Sequence, residues 1–131
     1  MSELKTGIKA EVSTIVTESS TALSMGSGAL EVFATPAAAA MVEKAACKLL
    51  EPYLEEGITT VGMKLCIDHV SASPIGSRIT ASAELTEIDG RRYVFAVRAE
   101  DELGEIIRGT HERFAVKSER FMEKTITSHK I

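Results

Sequence analysis

Aromatic residues and cysteines are scarce in this chain. Its 131 residues include no tryptophan and two cysteines, and aromatic residues make up only 5% of them. Two cysteines cannot build a disulfide framework, and neither Cys47 nor Cys66 stands in a spacing typical of metal ligands. Both lie in hydrophobic stretches, where a reduced cysteine behaves as a small apolar residue. We therefore expect a reducing, cytoplasmic compartment and no metal site.

Long hydrophobic runs and an excess of positive charge are also missing. No segment approaches the roughly 20 apolar residues of a membrane-spanning helix, and residues 1–11 lack the apolar core of a signal peptide. The formal net charge is −4, whereas nucleic-acid-binding proteins usually carry a basic face. These features predict neither a membrane nor a nucleic acid as a partner.

The composition supplies enough apolar residues for one hydrophobic core. Hydrophobic residues make up 44% of the chain and charged residues 26%, which is typical of globular proteins. A chain of this length usually forms one domain. We predict a single domain over residues 1–131, in which 119–131 form a polar tail that frays.

Local patterns predict one strand, one helix and then four more strands. The β-branched residues of 7–16 indicate the first strand, and the small and polar residues of 17–30 indicate a loop. Thr35 and Pro36 open the helix, because threonine caps a helix N-terminus and proline suits the first turn. The helix is predicted to end near Leu50. Alternating apolar and polar residues then indicate strands at 59–71, 78–88, 93–99 and 105–117.

This order of elements predicts an α+β protein. One helix covers only one face of a sheet, so we expect it to pack on a single curved, mainly antiparallel sheet, which is the hotdog fold. The unpaired edge of such a sheet and the flank of the helix can pair with a second copy of the chain, so we expect a homodimer. In the strand after the helix, Thr60 is predicted to face outward. Four residues are predicted to face the helix: Val61, Met63, Leu65 and Ile67.

Two polar residues of the helix are candidates for a site. Glu43 lies between the solvent stripe and the sheet-facing stripe, and its neighbours one turn away are small. It either faces a cleft or reaches water from the boundary. Thr35 lies two turns earlier, about 12 Å along the helix axis. The helix N-terminus suits a ligand oxygen, although a capping role alone explains this threonine.

The strands supply further candidates. His69 has the inward parity, so its imidazole either belongs to a site or is a hydrogen-bonded core histidine. Gly62 marks either the close approach of another group or a bulge. Arg113 could hold a phosphate or carboxylate with its planar fork, or pair with Glu84. For His111 a structural role is favoured. Because no GxSxG elbow and no phosphate-binding motif occurs, a hydrolytic site would use a carboxylate.

Four segments of the chain carry a resemblance to a known family: EVFATPAAAAMVEKAA (31–46), TVGMKLCIDHVSASPIG (60–76), ASAELTEIDGRRYVFAVRAED (81–101) and IIRGTHERFAV (106–116). They resemble the fluoroacetyl-CoA thioesterase-like family of hotdog proteins in order and spacing, over well more than half of the chain. The resemblance implies a homodimeric thioesterase that hydrolyses an acyl-CoA, with no cofactor beyond the CoA of its substrate.

The resemblance also implies roles for individual residues. In the family a threonine at the helix start, a glutamate eight residues later and a histidine at the strand end form the catalytic set, which implies Thr35, Glu43 and His69. The strand glycine matches Gly62 and the arginine of the GTHER run matches Arg113, both as substrate-binding residues. In the hotdog arrangement the helix flank and the strand end meet at the dimer interface, so each site would draw on both chains.

The chain departs from the family before the helix. The fluoroacetyl-specific enzyme of the family has an aromatic lid in this region, whereas residues 21–30 contain no aromatic residue and Phe33 is the first. Phe33 is therefore a candidate substrate-binding residue. The resemblance implies the reaction class but leaves the acyl group open. The alternatives are a non-catalytic acyl-CoA-binding hotdog module, which would use the same groove, and, less favoured, a hotdog dehydratase.

Overall fold

The computed structural model describes residues 3–130. Its five strands and its long helix lie where the sequence predicts them, within a few residues at each end. In chain order the elements are β1 (Lys9–Ile15), α1 (Ala22–Met25), α2 (Thr35–Leu50), β2 (Ile58–His69), β3 (Arg78–Asp89), β4 (Arg92–Asp101), β5 (Gly104–Lys117) and α3 (Ser118–His129).

The five strands form one antiparallel sheet in the order β1-β3-β4-β5-β2. Consecutive strands β3, β4 and β5 are neighbours joined by tight turns, but β2 pairs with β5 and not with β3. The strand β2 therefore forms one edge of the sheet and β1 forms the other. With α2 packed on one face, this is the hotdog fold, and the predicted fold class is confirmed.

Small residues let α2 lie close to the sheet. The helix packs mainly on β3 and β1, and its buried face consists of Ala38, Val42, Ala45, Ala46, Leu49 and Leu50. Across from it, Leu85 and Phe95 are fully buried and each contributes about 1.5–3 kcal/mol of hydrophobic stabilisation. Because the helix sits towards β1 and β3, the face of β2 is covered less by its own helix.

Two of the four residues predicted to lie on the inward face of β2, Val61 and Met63, do not lie there. The pairing of β2 with β5 shifts register between Gly62 and Lys64, so Met63 is the extra residue of a bulge. Beyond the bulge Leu65 packs on the core as predicted, whereas Met63 is 55% exposed. Before the bulge the parity is reversed, and Thr60, predicted to face outward, is buried. Val61 therefore lies on the opposite face from Leu65.

The start of α2 differs from the prediction in one respect. Ala34 is the N-cap residue and Thr35 is the first helical residue, followed by Pro36 in the first turn. No side chain caps this helix, because the N-cap residue, Ala34, has no polar side-chain atom, and the hydroxyl of Thr35 bonds to His69 instead. The preceding segment, predicted as a loop, contains the single turn α1, which Thr21 caps by accepting a hydrogen bond from the amide of Ser24.

Most of the residues predicted to form a polar, fraying tail are helical in the described part of the chain. The chain continues from β5 into α3, which spans Ser118–His129. The amide of Ser118 donates to the carbonyl of Gly57 and ties the helix start to the end of the sheet. Phe121, Met122 and Ile126 recur at helical spacing, which the sequence analysis overlooked. Residue 131 lies outside the described residues.

None of the helices within residues 3–130 has the length and apolarity needed to cross a membrane.

Candidate active site

The polar candidates gather at two places along β2. One group, which we call the His69 cluster, consists of Thr35 and His69 at the C-terminal end of the strand. The other, the Glu43 cluster, lies at the bulge. Its members are Glu43, Thr60, Gly62, His111 and Arg113.

In the His69 cluster, a short hydrogen bond joins the helix to the strand. The Thr35 Oγ1 atom lies 2.7 Å from His69 Nδ1. The first residue of α2 therefore fixes the orientation of an imidazole at the end of β2. The other ring nitrogen, His69 Nε2, is buried and has no hydrogen-bond partner within the described part of the chain.

Burial controls the protonation of His69. Desolvation lowers the pKa of the imidazole, and a hydrogen bond with the backbone of Ser71 only partly opposes this. A lowered pKa keeps the ring neutral at neutral pH, and a neutral imidazole can accept a proton. The arrangement therefore suits a general base or a proton shuttle.

The His69 cluster borders an open cleft of about 270 Å³, lined among others by Phe33, Thr35 and His69. Phe33 is only 2% exposed and belongs to the hydrophobic core. Its backbone amide donates to the carbonyl of Ser73, which holds it beneath the cleft. The ring therefore forms part of the cleft floor and does not cover the cleft.

In the Glu43 cluster, the helix flank meets the bulge of β2. The Glu43 Oε2 atom lies 3.5 Å from Arg113 Nη1, and the glutamate side chain is 40% exposed. A Cβ atom added at Gly62 would come within 2.8 Å of Glu43 Oε2 and 3.3 Å of Arg113 Nη1. Glycine at this position is therefore what allows the carboxylate to lie against the strand, as close approach requires.

Arg113 is held from three sides. Its Nε donates to Thr60 Oγ1 and its Nη2 donates to the Thr60 carbonyl, both at 2.9 Å. Its Nη1 donates to His111 Nε2 at 3.1 Å. The suggested pairing with Glu84 is wrong, because Glu84 instead faces Lys9 at 3.6 Å. These bonds fix the planar guanidinium so that one edge points to the Glu43 carboxylate.

The bonds of His111 define its tautomer. Its Nδ1 lies 2.7 Å from the carbonyl of Lys64, which can only accept, so Nδ1 carries the proton and Nε2 accepts from Arg113. Burial and, less strongly, the charge of Arg113 lower the pKa of His111, so the ring stays neutral. His111 thus links the strand just beyond the bulge to the arginine that faces Glu43.

Thr60 is the member of the cluster that the sequence analysis missed. Strict alternation placed it on the outer face, but the bulge turns it inward, where it accepts from Arg113. The one available signal was Gly62, for which a bulge was among the interpretations. A bulge between Thr60 and Leu65 reverses the parity of every residue before it.

The two clusters are well separated within one chain. Gly62 and His69 are seven residues apart on β2, roughly 20 Å at the usual strand rise. Thr35 and Glu43 are eight residues apart on α2, about 12 Å along the axis. The structure thus brings Thr35 to His69 and Glu43 to Gly62 and Arg113, but does not join the two groups within a single chain.

Within residues 3–130, His, Cys, Asp and Glu side chains form no group of three or more that could hold a metal ion. The two clusters themselves supply a carboxylate, a neutral imidazole, a hydroxyl and backbone amides.

Comparison with known proteins gives matches that span most of the chain. Residues 16–119 match the model of the family described as fluoroacetyl-CoA-specific thioesterase, FlK. The fluoroacetyl-CoA thioesterase of Streptantibioticus cattleyicolor is 40% identical over 94 residues, which cover 72% of this chain and 68% of that protein.

Solved structures agree with these matches. A crystal structure of a point mutant of FlK superposes with a TM-score of 0.92 at 31% identity and covers 98% of this chain and 99% of its own. A thioesterase superfamily member from Thermus thermophilus gives a TM-score of 0.90 at 25% identity and covers 99% and 96% of the two chains.

Proposed function

Because this chain belongs to the family of fluoroacetyl-CoA-specific thioesterases and is an acyl-CoA thioesterase, we propose that its active site is assembled from two chains of a homodimer. In this site the carboxylate of Glu43 acts together with Thr35 and His69 of the partner subunit. The reaction converts an acyl-CoA and one water into a free carboxylic acid and the thiol of CoA.

One observation carries this proposal. Each chain holds two partial sites, one with a carboxylate and one with a neutral imidazole, and they lie too far apart along β2 to act on one thioester. Both line the same open edge of the sheet. Pairing of two such edges would bring the carboxylate of each chain to the imidazole of the other and create two complete sites.

Each residue of the site has its own role in the reaction. Glu43 attacks the thioester carbonyl or activates the attacking water. When Glu43 activates water, the proton that the water loses passes to the pair formed by Glu43 and neutral His69 of the partner subunit and from this pair to the departing thiolate of CoA. When Glu43 attacks the carbonyl, the thiolate leaves as the acyl–Glu43 anhydride forms, and His69 later takes a proton from the water that hydrolyses this anhydride. In both cases Thr35 orients the imidazole ring. The backbone amide of Gly62 is the candidate donor to the oxyanion, which requires a donor about 3 Å away. Arg113 positions the Glu43 carboxylate.

The side of the cleft formed by residues 21–30 does not define which acyl group is cleaved. Residues 21–30 contribute the exposed apolar side chains Leu23, Met25 and Leu30 but no aromatic ring, and Phe33 lies in the cleft floor. We propose that selectivity here does not depend on an aromatic lid. The two free cysteines support a reducing compartment, and we place the enzyme in the cytoplasm with acyl-CoA as its substrate.

A panel of acyl-CoA substrates, including acetyl-CoA and fluoroacetyl-CoA, tests the function. The loss of thioester ultraviolet absorbance is the appropriate readout, because the exposed thiols of Cys47 and Cys66 would react with a thiol-detecting dye. We expect turnover of at least one substrate. Binding without thioester cleavage across the panel would instead support the acyl-CoA-binding module, and loss of water from a 3-hydroxyacyl-CoA in the panel, with formation of a carbon–carbon double bond, would support a dehydratase.

The rate should depend on pH through His69. Its pKa is lowered by burial, so the ring stays neutral, and able to accept a proton, until the pH falls below the ordinary histidine range. We expect kcat/KM to be flat around neutral pH and to fall on the acid side of that range. A rate that rises as the pH is lowered through this range would contradict the role of the imidazole as base. The measurement is a pH profile of kcat/KM.

Replacing Thr35 with valine removes the hydroxyl bonded to His69 while keeping the side-chain shape. We expect kcat to fall roughly 10- to 100-fold, as for the loss of a hydrogen bond worth about 1–3 kcal/mol. Thr35→Ser keeps the hydroxyl and should retain most of the activity. Equal activities of the valine and serine variants would show that the Thr35–His69 bond does not matter for turnover.

A further inference from the structure

We propose that His111 is a positioning residue of the hydrolysis, which accepts from Arg113 without carrying charge and so leaves the charge of the guanidinium to Glu43. The inference rests on the proposed function in one respect, since it requires that Glu43 takes part in the reaction. The His111 side chain is 1% exposed, and its Nε2 lies 3.9 Å from Glu43 Oε2, beyond hydrogen-bond distance. Its contribution is therefore indirect and passes through Arg113.

The positive charge of Arg113 has one anionic partner. The side chain is 8% exposed, and a buried charge without a counter-charge is costly. Thr60 accepts two hydrogen bonds from it, through its hydroxyl and its carbonyl, and His111 accepts a third. All three acceptors are neutral. Within residues 3–130, Glu43 is the one acidic side chain that forms an ion pair with this guanidinium.

The position of His111 requires an acceptor without charge. Arg113 Nη1 lies 3.1 Å from His111 Nε2 and 3.5 Å from Glu43 Oε2. A carboxylate in place of the imidazole would take the same N–H and neutralise the guanidinium, so Glu43 would lose its partner. A hydrogen-bond donor there would face the N–H of the arginine and push it away. A neutral imidazole with an unprotonated Nε2 avoids both results.

The bulge of β2 sets the form of His111 that can accept. His111 Nδ1 lies 2.7 Å from the carbonyl of Lys64, the first paired residue beyond the bulge. A carbonyl only accepts, so the proton is on Nδ1. Stacking on Phe95, with ring centroids 6.0 Å apart, helps to hold the plane of the ring. Thr60 lies just before the bulge, so the strand orients Arg113 from both sides of it.

A histidine with only a structural role would behave differently on substitution. It would fill space and satisfy the groups around it, and turnover would then follow the stability of each variant. The proposed role ties turnover to the charge of the side chain at this position.

His111→Gln and His111→Glu form a matched pair that separates these two roles. The substituted side chains have nearly the same shape, and both lose the bond from His111 Nδ1–H, so this loss cancels between them. Glutamine can offer Arg113 a neutral oxygen, whereas glutamate offers an anion. We expect kcat to fall about 2- to 5-fold with glutamine and roughly tenfold further with glutamate, as for loss of a hydrogen bond between charged groups.

Three further measurements accompany the rates. KM should change little in both variants, because neither substitution removes a group that touches the substrate. Thermal midpoints show whether the slower variant is also the less stable one. His129→Glu makes the same chemical change at an exposed histidine of α3 and should stay within about twofold of the parent rate, as for most surface substitutions.

Nitrogen NMR of the parent imidazoles gives a readout that does not depend on turnover, with the His111 signals assigned by their loss in His111→Gln. We expect a neutral ring protonated on Nδ1 at neutral pH. A ring protonated on Nε2, or a charged ring, could not accept from Arg113 and would overturn the proposal. This measurement remains decisive if His111→Glu does not fold, and a glutamine variant slowed by more than about tenfold would then also overturn it.

The outcomes distinguish this inference from the proposed function. An active parent whose glutamine and glutamate variants turn over at equal rates overturns the role of His111 and leaves the thioesterase function standing. A parent that binds acyl-CoA but cleaves no substrate of the panel overturns the proposed function, and the role of His111 in it, even when Nδ1 carries the proton. An active parent with that tautomer and a slower glutamate variant supports both.

Discussion

Replacing Glu43 with glutamine is expected to lower kcat for acyl-CoA hydrolysis by roughly two to four orders of magnitude, the usual range for loss of a catalytic base. Glutamine keeps the size of the side chain and an oxygen that can accept from Arg113. It can neither attack a thioester carbonyl nor take a proton from water. The loss should therefore appear in kcat, measured with the acyl-CoA that gives the highest rate, and not in folding.

The control for this change is Glu55→Gln. Glu55 is an exposed carboxylate between α2 and β2, so its replacement makes the same chemical change away from the site. We expect this variant to remain within about twofold of the parent rate, as for most surface substitutions. If Glu43→Gln hydrolyses acyl-CoA as fast as the parent, the role assigned to Glu43 is wrong.

Replacing Gly62 with alanine should have the second largest effect. The new methyl group would lie 2.8 Å from Glu43 Oε2 and 3.3 Å from Arg113 Nη1, too close for either to stay in place. The carboxylate is the far end of a flexible side chain that is 40% exposed, so it can swing towards solvent. We therefore expect a folded protein whose kcat is reduced roughly 100-fold or more, because misplacement by about 1 Å can cost that much.

Gly109→Ala is the matched comparison on the adjacent strand. A Cβ atom at Gly109 would collide with the backbone of Cys66 and Ile67, which cannot move without breaking the pairing of β2 with β5. We expect this variant to be strongly destabilised, seen as a large fall in the thermal midpoint. If Gly62→Ala unfolds to the same extent, the glycine at the bulge serves the fold and the proposed clash with Glu43 is not its main role.

Local patterns in the sequence were sufficient for most of the fold. The alternation of residues 78–88 and 105–117 and the Thr35-Pro36 helix start each reflect an interaction between residues close in sequence. They gave the elements and the α+β class. They could not give the neighbour of β2, because the pairing with β5 joins residues more than 35 positions apart, and no local pattern records that choice.

The same limit explains the errors at the site. Alternation put Met63 inward and Thr60 outward, and one extra residue at the bulge reversed both. The pairing of Glu43 with Arg113 joins residues 70 positions apart and depends on that bulge, so Glu84 was an equally reasonable partner for the arginine. The resemblance to the family identified Thr35, Glu43 and His69 as a set. The helix and strand patterns alone left a structural role possible for each of the three.

The helix α3 was not predicted for a different reason. The polar residues of 119–131 suggested a fraying tail, but Phe121, Met122 and Ile126 lie on one side of a helix. A composition average hides such spacing, because few apolar residues are needed to define one face. The described residues leave these three side chains partly exposed.

The central claim is that each active site combines Glu43 of one chain with His69 of the other, and subunit mixing tests it most directly. Glu43→Gln and His69→Gln are prepared separately as inactive dimers, mixed, and allowed to exchange subunits, with exchange followed by mass spectrometry. Half of the dimers should then be mixed, each with one intact and one doubly substituted site, so the rate should recover to about a quarter of the parent value for a two-fold dimer. A mixture that exchanges fully and stays inactive would contradict the two-chain site.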